Sequence, residues 1–295
     1  MDGVCQVRSR QSFALHTKAF GSADSLLPAE LQQSVVGPQY EARLLDRLPV
    51  QPTSAPSWEY IRHTSTTGTP GIVAEGEVKP ELVFNTDKIT VVAQKLAANT
   101  ATSWESLQDW DVFVNYVTNE LMRQVVNVEN AELIAGDGTA GHLTGFLSTS
   151  GILTRAAGTD TPLDAVEEGI ADLRVGAALA EANLFVVHPN TWSALRRVKD
   201  TQGRYLVDPD PTNAGGSQLR GVEVLPTTQI AAGTGALLDT RKAGYVVVRE
   251  ALSLRTGTSD DDFVRNLVRW ISEERLALAV ERPSAVCKVT GLPTA

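Results

Sequence analysis

Few residues in this chain can do chemistry, and their spacings argue against most of the chemistry open to them. The four histidines, His16, His63, His142 and His188, are scattered, and no two share the spacing with which one helix face presents a pair of metal ligands. Each reads as a surface or locally bonded histidine. Cys5 and Cys287 lie at opposite ends of the chain, which makes neither a ligand spacing nor a disulfide framework; free thiols in a reducing cytoplasm are the simpler reading. No serine sits in a G-x-S-x-G elbow and no lysine closes a phosphate loop. The run GDGTAG, Gly136 to Gly141, matches the dinucleotide fingerprint G-x-G-x-x-G, but that motif needs a strand before it and a helix after it. A helical pattern precedes it here and His142 to Leu147 begins none, so a tight glycine turn is expected. No cofactor and no metal are expected.

The elements that would position any site follow from patterning. At 295 residues the chain can bury one large core or two moderate ones, and its 42% hydrophobic and 21% charged content is ordinary for a globular protein. A net charge of −9 argues against a dedicated nucleic-acid binder, which needs a cationic face to displace counterions. No run approaches the roughly 20 apolar residues of a membrane span. Arg8, Arg10 and Lys18 with several hydroxyl residues resemble an organellar presequence, but a secretion signal's apolar centre is missing, and a flexible arm is the simpler reading.

Residues 1–56 carry no sustained period, apart from a helical candidate at Pro38 to Leu48 marked by Tyr40, Leu44, Leu45 and Leu48. From Trp58 two strand-like arms surround a turn-rich tip, TSTTGTPG at Thr64 to Gly71, and read as a long β-hairpin. Its middle is too polar to bury against its own domain. The strongest element runs from Trp110 to Ala135, where Trp110, Phe113, Val114, Val117, Leu121, Val125 and Val128 fall on one stripe. Asp109 is the expected cap and Gly136 the stop, giving a spine of about 39 Å. An α/β region follows: a helix capped by Thr161 with Pro162 at its first position, carrying apolar residues to Leu179, then a buried LFVV strand at Leu184 to Val187. A short helix capped by Asn190 comes next, then a Gly/Pro loop over Leu206 to Gly221 and short strands at 222–225, 236–238, 245–248 and 252–255. Phe263 to Val289 is strand-rich without clean alternation.

Four of these blocks, in order, resemble the Hong Kong 97-type (HK97-fold) major capsid family of tailed bacteriophages. VAEGEVKPELVF with KITVVAQKLA is similar to that family's extended loop and return strand, and AELIAGDGTAGHLTGFL to the end of its spine helix. FVVHPNTWSALRRVKDTQGRYLVDP resembles its axial-domain strand, helix and turn, and DDFVRNLVRWISEERLALAVERPSAVCKV its C-terminal peripheral strands. The resemblance implies an α+β fold divided into an N-terminal arm (1–56), an extended loop (57–98), a peripheral domain in two parts (99–145 and 258–295) and an axial domain (146–257). It implies a major capsid protein, not a conventional enzyme, assembled in the bacterial host cytoplasm into the virion. The expected partners are copies of itself in hexamers and pentamers, a scaffold, a maturation protease, a portal, decoration proteins and double-stranded DNA held without sequence specificity. No membrane is expected among them. An encapsulin-type compartment shell, a soluble α/β enzyme and a tail or head-completion protein are the alternatives.

The resemblance also implies a covalent lock, an isopeptide bond between a loop lysine and a peripheral asparagine assisted by a glutamate. Lys79 in VKPE, Asn266 in FVRN and Glu273 in SEER stand at the matching positions. The lysine must be neutral to attack, so it must be desolvated; Glu273 would take the proton and Asn266 would lose ammonia. Seven residues separate Asn266 from Glu273, so they face opposite sides of a regular strand and share a site only across a bulge or bend. Plain salt bridges between subunits are the competing use of the same residues.

Overall fold

The computed structural model describes residues 41–109, 111–139, 141–207 and 218–294. Cys5, His16, most of the N-terminal arm, Trp110 and much of the Gly/Pro loop lie outside them. In chain order the first strands are β1 (Val50–Pro52), β2 (Ser57–Thr67), β3 (Val83–Val92), β4 (Gln94–Ser103), β5 (Leu153–Ala156) and β6 (Leu184–Val187). The rest are β7 (Gln218–Leu219), β8 (Val222–Pro226), β9 (Thr234–Leu238), β10 (Gly244–Gly257), β11 (Leu267–Val280) and β12 (Val286–Thr290). The helices are α1 (Trp104–Asp109), α2 (Asp111–Ala135), α3 (Pro162–Val175) and α4 (Pro189–Arg196).

Two sheets and a separate hairpin organise these elements. One sheet runs β1-β10-β11-β4 and carries α2 on one face; the other runs β5-β12-β9-β6-β8-β7, with α3 against β5 and β12. LFVV is β6, in the interior of that second sheet and buried at all four positions, which explains its unbroken apolar run. β11 explains the missing alternation at the C-terminus. Its Ser272, Glu274 and Leu276 are buried toward α2, while Ala277 and Ala279 are buried from the other side by Trp58, Tyr60 and Val91 of the hairpin. A strand covered on both faces has no solvent side to alternate with.

Several expectations are corrected. Asp109, the expected cap of the spine, is the last residue of α1, and its side chain lies outside the described residues. Val128 leaves the apolar stripe and stands 49% exposed, while Glu129 and Asn130 take the buried positions. In the described part of Pro38 to Leu48 there is only a single 3-10 turn, Leu45–Arg47, although Leu44, Leu45 and Leu48 are buried as the pattern suggested. Thr161 caps α3 as expected, but Leu179 lies beyond that helix and is exposed. The α4 cap is His188, whose Nδ1 accepts from Asn190 N at 3.2 Å. The strands expected at 245–248 and 252–255 are one strand, β10, interrupted by register shifts after Val248 and Glu250. The segments read from sequence and the sheets do not divide at the same places: β10 pairs with β11 and β12 completes the other sheet.

Candidate assembly site

The hairpin is anchored at its root and bare beyond it. Trp58 Nε1 donates to Tyr245 Oη at 2.8 Å, with the rings edge to face, and Tyr60 Oη donates to the Val280 carbonyl at 2.9 Å. Past the root the cover ends. Ile61 is 73% and Phe84 67% exposed, and Ile72 and Val78 in the 68–82 tip are open to solvent. Two strands with both faces exposed are marginal on their own, so the outer hairpin can bury its apolar side chains only against another surface. A second exposed apolar pair, Phe263 (80%) and Val264 (83%), stands at the turn before β11, where the Asp262 carboxylate accepts from Ser259 N and pairs with Arg269.

Lys79 lies in the exposed hairpin tip. Asn266 stands next to the Phe263–Val264 turn with φ +53°, a left-handed conformation that asparagine tolerates better than most residues. Its carbonyl accepts from Trp104 N at 2.7 Å, and its Nδ2 donates to Glu105 Oε1 at 3.2 Å. Glu273 is elsewhere, inside β11, where it accepts from Lys95 Nζ at 2.7 Å; that hydrogen bond holds its carboxyl below the usual range. The β4–β11 register is unbroken from Leu267 to Leu276, so no bulge in β11 shortens the separation. Seven strand residues span roughly 23 Å. One subunit therefore keeps Asn266 and Glu273 apart. Glu105, the carboxylate that does meet Asn266, went unnoticed in the sequence because α1 carries no periodic signal long enough to reveal it.

The remaining chemical candidates are locally occupied. Gly136 to Gly145 is a closed turn, with Gly138 N donating to Leu143 O and Gly145 N to Gly136 O at 2.9 Å each. It follows a helix and leads into a 3-10 turn, which is not the setting of a phosphate loop. His142 Nδ1 lies 2.7 Å from Glu132 Oε1, His63 bonds Thr66, and His188 is a cap. Burial pushes the Cys287 thiol up to about 11 and so keeps it unreactive. Among the described residues no group of three or more metal-ligating side chains is gathered, and no helix is long and apolar enough to cross a membrane.

A buried polar cluster ties the described end of the arm to the body. Arg43 Nε meets Glu129 Oε2 of α2, and Arg43 Nη2 meets Glu274 Oε1 of β11, both at 2.7 Å. Asn130 Oδ1 accepts from Leu44 N at 2.9 Å, and its Nδ2 donates to Ala42 O at 3.2 Å. Glu41 accepts from the Thr227 hydroxyl at 2.7 Å and from Thr228. The sequence pattern hinted at none of this.

With this geometry in hand, likeness to known proteins is informative. A model of the phage capsid family matches residues 24–291. The major capsid protein of Enterobacteria phage HK97 is 30% identical over 277 residues, 91% of this chain and 70% of that protein. A structure from Microbacterium phage Oxtober96 superposes with a TM-score of 0.74 at 13% identity, covering 90% of this chain and 96% of the other. The capsid of a native GTA particle gives 0.72 at 21% identity, covering 92% and 98%.

Proposed function

This chain belongs to the phage capsid family, and on that premise we propose that its copies form hexamers and pentamers that close into an icosahedral head around double-stranded DNA. As a phage major capsid protein with the HK97 fold, it is a structural component of the virion. The observation that carries the shell reading is the hairpin: its root is built into the subunit by Trp58 and Tyr60, and its outer half exposes apolar side chains on a two-stranded ribbon. Such a ribbon gains stability when it lies on a neighbouring copy. Repeated heterologous contacts of that kind close into rings. In this reading 57–98 is the extended loop, 99–145 and 258–295 make the peripheral domain, and 146–257 the axial domain. A scaffold, a maturation protease, a portal and decoration proteins act on the shell, which is assembled in the host cytoplasm.

The finer reading adds the covalent lock. Lys79 on one copy, as a neutral amine, attacks the Asn266 carboxamide of another; a carboxylate takes a lysine proton and relays it to the amide nitrogen, whose C–N bond breaks, so that ammonia leaves and the carboxylate is regenerated. Because one subunit holds Asn266 and Glu273 about 23 Å apart, Glu273 can serve only if it arrives from a different copy than Asn266. Sedimentation followed by denaturing electrophoresis tests both levels. Fast-sedimenting particles are expected from the purified chain, running as a ladder of linked subunits that Lys79→Arg reduces to monomer without abolishing particles. Particles that give monomer alone from the unmodified chain overturn the lock and leave the shell. A chain that never sediments as particles overturns the shell.

A further inference from the structure

We propose that Glu129 and Glu274 bind one proton between them, and that this proton helps hold residues 41–52 against the body of the subunit. The site is defined by what its atoms lack. Each carboxyl gives one oxygen to the Arg43 guanidinium. The other two oxygens, Glu129 Oε1 and Glu274 Oε2, are buried and meet no donor among the described residues. The side chains are 0% and 1% exposed, and the one Arg43 guanidinium, 2.7 Å from each, holds the two carboxyls side by side.

Two carboxylates and one guanidinium carry a net charge of −1. A buried, uncompensated charge is costly, and two like charges in contact resist joint ionisation. One proton resolves both problems: a carboxylic acid donates its O–H to the neighbouring carboxylate, supplying the missing donor and bringing the cluster to neutrality. Burial first, then the Glu274 charge, push Glu129 up to about 7 against the pull of Arg43; burial raises Glu274 as well. The proton belongs to the pair.

The surrounding charged groups are engaged elsewhere. On α2, Glu132 accepts from Leu143 N and meets His142, and Glu120 pairs with Arg123. On the arm segment, Glu41 is bound by Thr227 and Thr228, Arg47 pairs with Glu223, and Asp46 is exposed. On the sheet, Glu273 pairs with Lys95, and Arg275 lies 3.6 Å from Glu250, which Arg255 also meets. None of these replaces the proton.

The sign of the pH effect follows. In the unfolded chain these carboxyls release their protons near the ordinary glutamate range, whereas the folded pair holds one up to about 7. Between those limits the folded state carries the extra proton, so stability falls as pH rises through the window and levels off above it. Residues 41–52 feel the change first, because Arg43, the Asn130 bonds to Ala42 and Leu44, and the parallel pairing of β1 with β10 form one attachment.

The test compares the full-length chain with Glu129→Gln in urea unfolding from pH 5 to 8.5, where groups common to both cancel in the ratio of unfolding constants. That ratio, unmodified chain over variant, is expected to rise about tenfold per pH unit between pH 5 and 6.5 and to flatten above about 7.5. The infrared carbonyl band of a protonated carboxylic acid supplies a second readout that needs no variant to fold. One such group per folded chain is expected at pH 6, lost by pH 8.5. Absence of that band at pH 6 overturns the proposal, as does a ratio that stays flat across the range.

Discussion

Arg43 makes two ion pairs with carboxylates from different elements, and its loss would leave both of them buried without a cation. Breaking a buried ion cluster from one side costs about 3–5 kcal/mol, while replacing the whole cluster by apolar groups is often close to neutral. Arg43→Met is therefore expected to lower the unfolding free energy, read from urea titration, by an amount in that range. The combined Arg43→Met, Glu129→Leu, Glu274→Met variant is expected to recover most of the loss; equal losses in the two would show that shape, not charge, governs the site. Little of this was readable from residue types. Nothing in the pattern marked Glu129 and Asn130, whose partners at positions 42–44 lie 86 or more residues away. Periodicity misses such pairs, because a long-range partner leaves no local signal. Lys79, Asn266 and Glu273 were legible only by resemblance, and the unbroken register of β11 keeps Asn266 and Glu273 apart within one copy.

At the scale of elements, the hairpin and the long helix were clear in the sequence, the helix from its apolar period and the hairpin from two strand-like arms around a cluster of turn formers. What failed were boundaries set by partners. The strands read at 245–248 and 252–255 merge because β11 continues alongside both, and the interruption between them is a register shift in β10. The hairpin tip reaches from 68 to 82, beyond the turn formers Thr64 to Gly71, because β2 and β3 stay paired to Thr67 and Val83. Splitting the hairpin into an anchored root and a free outer part gives a direct prediction. Replacing residues 68–82 by a two-residue Asn-Gly turn, which suits a hairpin, should leave the monomer's stability within about 0.5 kcal/mol, as for surface changes away from packed features. The same variant should lose the fast-sedimenting particle. Wild-type assembly by the shortened chain would show that the tip is dispensable and that the outer hairpin is not the contact on which closure depends.

For the whole molecule, two sheets share one continuous apolar core, with a ribbon and the exposed Phe263–Val264 turn projecting from it. Those projections are apolar surface that a lone subunit leaves in water, and the proposed shell predicts that neighbouring copies cover them. Electron microscopy of the purified full-length chain tests that claim most directly. Closed icosahedral particles are expected, in whose reconstruction the 68–82 tip of each copy lies on a neighbouring copy. Discrete dimers or small rings, with the tips facing solvent, would contradict it.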